Sequence, residues 1–220
     1  MKEALLWQKT DDGAAFCSLC AHRCRVTPGK RGFCNVRVND CGVLYTRTYG
    51  QVIAENIDPI EKKPLYHFLP STQTYSIALP GCNFKCGFCQ NSNISQITEI
   101  PNYRAIDDYA HAPSPEKIVE NTLRRGCESI SFTYTEPTVF FEYALDTAKI
   151  AVDAGLKTIF VSNGYMTPEC LRMIQPYLSA CNIDLKSFSD DFYKKHCGAS
   201  LAPVLESLKL IRSMGIWLEV

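Results

Sequence analysis

Thr74-Tyr75-Ser76-Ile77-Ala78-Leu79 runs directly into Pro80-Gly81-Cys82-Asn83-Phe84-Lys85-Cys86-Gly87-Phe88-Cys89-Gln90-Asn91. The first six residues mix β-branched, aromatic and aliphatic side chains and predict a strand. A C-x3-C-x2-C loop then occupies that strand's end. Three thiolates in one short loop suit three corners of an iron–sulfur cube, whose natural ligands are Cys thiolates. Gly81 and Gly87 let the backbone come close to such a group. A fourth Cys at ferredoxin spacing is missing, since the next is Cys127. One iron is then left open, as catalytic metal sites keep an open position where structural ones are closed. A zinc site that borrows a fourth ligand is the plainer alternative.

Downstream of the loop a regular alternation sets in. Ser114-Pro115 predicts a helix N-cap with Pro at the first helical position, and Gly126 predicts its stop. Residues 129–135 read as a strand, about 138–154 as a helix stopped at Gly155, and 157–162 as a strand. Thr167-Pro168 opens a third helix, 182–186 is a strand, a helix over about 203–214 ends at Gly215, and 216–220 is a strand again. This is the βα rhythm of a parallel sheet with right-handed crossovers. Periodicity leaves a doubly wound sheet and a barrel-type arc both open, and in either one ligands bind beyond the carboxyl ends of the strands. The last strand has no covering helix after it, so the sequence is expected to be a fragment of a longer protein that lacks its last strands.

Upstream, residues 1–73 form a Cys-rich N-terminal lobe and linker, with residues 74–220 as the core domain. One hairpin strand is expected within 43–57. The lobe is too small for a secure core of its own, which makes a metal staple plausible. Cys17, Cys20, Cys24 and Cys34 form C-x2-C-x3-C-x9-C, which suits tetrahedral zinc or a second, closed cluster, with Cys41 as an alternative ligand. Cys127, Cys170, Cys181 and Cys197 stand apart and read as small buried apolar residues. Residues 58–68, with Glu61, Lys62 and Lys63 between two prolines, read as a linker carrying a solvated charge run. Tyr66 and His67 are the alternative there, as residues lining an approach to the site. Phe140, Phe141, Tyr143 and Trp217 are expected in the core.

Composition narrows the function classes. The 220 residues are 46% hydrophobic and 21% charged, with 23 basic against 23 acidic side chains. That is too apolar for disorder, and no apolar run is long enough for a membrane helix. Zero net charge and no basic patch argue against a nucleic-acid binder held by phosphates. Residues 1–9 contain no signal-peptide core, which predicts a cytoplasmic protein with reduced thiols. Its 12 cysteines then read as metal or redox groups.

The Cys82-Cys86-Cys89 loop after the first strand of a βα array resembles the radical S-adenosylmethionine (SAM) superfamily. More narrowly, the chain is similar to the pyruvate formate-lyase activating-enzyme branch, and especially to the radical SAM enzyme of the AmmeMemoRadiSam system. The resembling segments also include Cys17-x2-Cys20-x3-Cys24 with Gly32-Phe33-Cys34, and the run from Asp58 to Phe68. Further along they are Tyr134-Thr135-Glu136-Pro137-Thr138, Ser162-Asn163-Gly164 and Asp184-Leu185-Lys186.

The resemblance implies a partial (β/α) TIM-like barrel that holds a [4Fe–4S] cluster on Cys82, Cys86 and Cys89 and chelates SAM at the open iron. Reductive cleavage of SAM would give a 5′-deoxyadenosyl radical for hydrogen abstraction from a protein or a small molecule. An electron donor such as flavodoxin or ferredoxin would be needed. Glu136 stands where the superfamily has a Gly-Gly-Glu segment facing the SAM amino group, although here Tyr134-Thr135 replace the glycines. Asn163, Asp184 and Lys186 are further candidates for SAM or substrate contacts. Ordinary roles compete: Asn163-Gly164 as turn chemistry, Glu136 as a helix N-terminal acid, and Asp184 with Lys186 as an ion pair. A non-catalytic Fe–S or zinc-binding module, a truncated relative, is the alternative function.

Overall fold

The computed structural model describes residues 1–99 and 112–220. Its frame is a six-stranded sheet of Ala54–Pro59 (β1), Gln73–Ala78 (β2), Ser129–Phe132 (β3), Lys157–Ser162 (β4), Ala180–Ile183 (β5) and Trp217–Glu219 (β6). β2 to β6 run parallel, and β1 pairs antiparallel with β2, Ala54 opposite Ala78 and Pro59 opposite Gln73. The strands lie side by side in chain order. A doubly wound sheet reverses its order at a switch point, so this order excludes it. Every crossover steps the same way, as in a barrel wall, but β1 and β6 do not pair and the sheet stays open.

The helices between the strands start where their capping residues predict. Pro115–Arg124 (α1) is capped by Ser114 Oγ, which accepts from the Lys117 N–H at 3.3 Å, and Pro168–Ile174 (α3) by Thr167 Oγ1, which accepts from the Cys170 N–H at 3.1 Å. Phe141–Asp153 (α2) is preceded by a 3-10 turn, Pro137–Phe140, and Leu201–Ser213 (α4) precedes β6. The strand expected at 182–186 ends earlier, at Ile183, because its partner β4 ends at Ser162 and there is nothing further to pair with. Asp184 and Lys186 are thereby delivered to the loop beyond the sheet's carboxyl edge. A single turn, Asp190–Phe192, and a π-helix, Tyr193–Cys197, follow in that loop and were not foreseen.

Before the main sheet come two small antiparallel sheets of three strands each. One joins Lys2–Glu3, Val43–Thr46 and Arg37–Asp40, the other Trp7–Lys9, Ala15–Cys17 and Arg25–Val26. Sequence suggested a single hairpin strand here, because strands of two to four residues are too short to show a period. Val26, Val36 and Leu44 are buried in the same apolar cluster as Leu79, Phe84 and Val139. A buried ion pair also crosses from this region to α2, Arg37 to Glu142, and Arg37 donates to the Leu5 carbonyl at 2.7 Å.

Two readings are corrected. The segment 58–68 is not a solvated linker, since Asp58 lies within β1 opposite Thr74 and both it and Lys63 are buried. Trp217 is half exposed rather than core, because it sits on the sheet's outermost strand. Phe140, Phe141 and Tyr143 are buried as expected, and so are Cys127, Cys170, Cys181 and Cys197. Among the described residues no helix is long and apolar enough to cross a membrane.

Phe132 on β3 is fully buried, with its ring centroid 5.6 Å from that of Phe160 and 6.4 Å from that of Phe140. Phe132→Ala is expected to cost about 3–5 kcal/mol of folding stability in a denaturant titration, as cavity-forming aromatic truncations do.

Candidate functional site

Beyond the carboxyl edge of the parallel strands lies a cavity of about 480 Å³. The carboxyl ends of β2 to β5 form its wall: Cys82, Cys86 and Cys89 from the loop after β2, Thr135 and Glu136 after β3, Ser162 at the end of β4 with Asn163 after it, Asp184 and Lys186 after β5. The residues proposed from sequence as cofactor-binding therefore line one space, where parallel βα folds place their chemistry. A smaller cavity of about 240 Å³, between Arg23, Met166, Leu171 and Leu210, contains none of them.

The cysteine loop is held tightly. Gly81 has φ +109°, and a Cβ there would lie 2.4 Å from Val36 Cγ2, so glycine is required on both counts. Cys82 Sγ accepts from the Phe84 N–H at 3.3 Å and from Asn163 Nδ2 at 3.8 Å. Asn163 Nδ2 also donates to Asn83 Oδ1 at 2.7 Å, while His22 Nε2 meets the Asn83 carbonyl oxygen at 2.7 Å. Burial, and then the Glu136 carboxylate, push the Cys82 thiol well above its ordinary range; burial and the neighbouring Cys197 push Cys86 up to about 12.

The donor set suits an iron–sulfur cluster. It is all sulfur, and Cys82 receives the N–H donors a thiolate ligand needs. Among the described residues no three Cys, His, Asp or Glu side chains converge on the position of one metal ion.

Glu136 is fully buried, and burial pushes its carboxyl group upward against the hydrogen bonds it accepts. Its Oε1 accepts from the Thr138 N–H at 3.0 Å, Thr138 Oγ1 at 2.6 Å and Ser162 Oγ at 2.8 Å; Oε2 accepts from the Asn163 N–H at 2.8 Å. The carboxylate thus caps the turn at Pro137–Phe140 and ties the end of β3 to the end of β4. Asp184 and Lys186 form an ion pair at 2.7 Å. Burial alone would lower the Lys186 ammonium, but Asp184, with Cys86 and Glu136, holds it above the ordinary lysine value.

Sequence reading missed one part of this wall. Tyr134 has φ +64°, a left-handed conformation that side chains rarely adopt. It occupies the place of a glycine in the resembling Gly-Gly-Glu segment, and that was the available signal. Its surroundings over-determine the strained backbone. The Tyr134 hydroxyl donates to Asp58, Lys63 Nζ lies 4.4 Å from its ring centroid, and Asn91 Nδ2 donates to its carbonyl at 2.8 Å. Lys63 Nζ in turn donates to Asp58 Oδ2 at 2.6 Å and Lys62 Nζ to Oδ1 at 2.8 Å. Both lysines reach the cavity wall, whereas Tyr66 and His67 do not; their backbone N–H groups donate to Glu219 instead.

Cys17, Cys20, Cys24 and Cys34 lie away from this cavity but near one another. Burial first, and then the neighbouring thiols, raise Cys20 well above the ordinary value. Arg37 donates to Cys17 Sγ at 3.3 Å and the Phe33 N–H to Cys24 Sγ at 3.5 Å. Here too, no three of these side chains converge on a single-ion position. Cys41 is exposed.

The family model of the Radical SAM superfamily matches residues 76–219. A curated relative, uncharacterized protein MJ0808 of Methanocaldococcus jannaschii, is 48% identical over 222 residues that cover 100% of this chain and 63% of the relative. A second, uncharacterized protein MJ0674 of the same organism, is 26% identical over 200 residues, 89% of this chain and 51% of the relative. The chain therefore spans less than two thirds of the length of either. Among solved structures, QueE from Escherichia coli superposes with a TM-score of 0.46 at 13% identity, over 74% of each chain.

The Asp58 network has a pH signature. Burial opposes the charged form of Asp58, but hydrogen bonds from Lys62, Lys63 and Tyr134 outweigh it and hold the carboxyl well below the usual carboxylate range. A depressed folded pKa lends stability that is present above the unfolded value of about 3.9 and is lost as pH falls below it. Asp58→Asn should cost about 3–5 kcal/mol at pH 7, since it leaves Lys63 buried without its carboxylate. The difference from wild type should shrink steadily in denaturant titrations run from about pH 5 down to pH 2.

Proposed function

The chain belongs to the radical SAM superfamily, and on that premise we propose that it is a radical SAM enzyme of the pyruvate formate-lyase activating-enzyme-like branch, nearest the radical SAM enzyme of the AmmeMemoRadiSam system. The observation that carries the reading is the single cavity that Cys82, Cys86 and Cys89 share with Glu136, Asn163, Asp184 and Lys186. When bound, a [4Fe–4S] cluster and SAM supply an electron and a cleavable sulfonium, which together yield methionine and a hydrogen-abstracting 5′-deoxyadenosyl radical.

The chain's own residues have distinct tasks in this reading. Cys82, Cys86 and Cys89 hold three irons, and Asn163 steadies the Cys82 sulfur through its side-chain amide. Glu136 already receives four hydrogen bonds. Its task is to fix the 134–138 turn at the cavity wall; Oε1 already accepts three of these bonds, so acceptor capacity for an ammonium is left on Oε2. Lys186 presents a cation and Asp184 an anion at the rim, which suits the carboxylate and amino groups of a zwitterionic ligand. Flavodoxin or ferredoxin is the proposed electron donor, and the substrate is a protein glycyl residue or a small molecule.

The four lobe cysteines are proposed to hold a second metal, zinc or a second closed cluster. Anaerobic reconstitution followed by metal and sulfide analysis checks this: about eight irons per chain are expected for two cubes and about four for one. Cys20→Ser should remove the lobe metal and leave the loop's cluster in place. A wild-type count of about four irons with no zinc would overturn the second site.

For the enzyme reading, reconstituted protein given reductant and SAM is expected to release 5′-deoxyadenosine, detected by chromatography. Cys86→Ala should reduce release to background. A cluster-loaded wild-type sample that forms no 5′-deoxyadenosine would leave only the metal-binding module.

A further inference from the structure

His22 lies between Cys20 and Cys24 of the N-terminal lobe, yet its ring reaches the other cysteine loop. The imidazole packs against Phe33, with ring centroids 4.1 Å apart, and against Tyr165 at 4.9 Å. The backbone on either side of it is tied down: the Ala21 N–H donates to the Tyr165 carbonyl and the Arg23 N–H to the Cys20 carbonyl, both at 3.0 Å. Held in this way, His22 Nε2 lies 2.7 Å from the Asn83 carbonyl oxygen. A carbonyl oxygen can only accept, so Nε2 carries the ring proton and donates it.

The Asn83 carbonyl and the Phe84 N–H belong to one peptide unit, and that N–H donates to Cys82 Sγ at 3.3 Å. Two hydrogen bonds thus run in series through a single amide, from the imidazole to the sulfur. A bond accepted at an amide oxygen draws electron density toward it and makes the N–H of the same unit a stronger donor. A stronger hydrogen bond to a cluster-ligating sulfur stabilises the more negative, reduced cluster and raises its reduction potential. We propose that His22 is a positioning residue for the cluster, its Nε2–H fixing and polarising the Asn83–Phe84 peptide so that Phe84 donates more strongly to the Cys82 sulfur and reduction becomes easier. The N-terminal lobe thereby acts on the cluster in the main cavity, whatever its own cysteines bind. The inference rests on the reading of Cys82 as a cluster ligand.

The test is a redox titration of the reconstituted protein, followed by electron paramagnetic resonance of the reduced cluster and needing no turnover. The signal to follow is the one that added SAM alters, since only a cluster with an open iron can take that ligand. His22→Phe keeps a ring to pack against Phe33 and Tyr165 but has no N–H. It is expected to shift the midpoint negative, so that the ratio of reduced to oxidised cluster at a fixed poise falls by about twofold. His22→Gln brings an amide N–H close to the position of Nε2 and should stay near the wild-type ratio. If His22→Phe loses the cluster altogether while His22→Gln retains it, the donor role is equally supported. An unchanged midpoint in His22→Phe, or a His22→Gln protein that shifts as far or loses the cluster, overturns the proposal, since the effect then follows the imidazole ring or nothing at all, and not the donated proton. A wild-type protein with no SAM-sensitive cluster signal would defeat the underlying reading of Cys82, and this inference with it.

Discussion

A carboxylate taken out of water must be met by donors or it will not stay charged, and Glu136 is the place where that constraint organises the site. Its two oxygens collect hydrogen bonds from Thr138, Ser162 and Asn163, groups from two different strand ends. Asn163, positioned by its backbone bond to Glu136, then extends its side chain to Cys82 and Asn83 in the loop after a third strand. Three consecutive βα connections are locked together by one buried carboxyl group. The register of the parallel ladder sets how far each strand reaches toward that lock.

The cysteine loop is held from opposite directions by groups of different kinds. From one side come Asn163 and, through the Asn83 carbonyl, His22 of the N-terminal region. From the other come the carbonyls of His196 and Cys197. Backbone hydrogen bonds at both ends leave the three thiols with few ways to move, which is what preorganisation of a metal site requires. The N-terminal region takes part directly: Val36 closes over Gly81, and Arg37 reaches across to Glu142 on α2. It packs into the same apolar cluster as the sheet.

Much of the scaffold was legible because its signals are local. Ser114 and Thr167 cap the helices they were expected to cap, and the strands at 129–132 and 157–162 fall inside the predicted runs. The cysteine spacing alone located the loop at the end of β2. The Tyr134–Asp58–Lys63 cluster escaped notice because its members are 76 and 71 residues apart in sequence from Tyr134 to its two partners, and a Pro-flanked charge run looks the same whether it is solvated or folded inward.

Sequence by itself determined the element types of the βα array after residue 73, its parallel rhythm and which cysteines share a loop, since turn chemistry, capping and side-chain periodicity act within a few residues. Only the tertiary structure decided that the strands lie in simple chain order, that Glu136 faces Ser162 and Asn163, and that Asp58 and Lys63 turn inward to hold Tyr134. Those outcomes depend on which distant groups must satisfy one another once water is removed, and desolvation of a charge or a strand edge is a property of the packed molecule that no short stretch of chain contains.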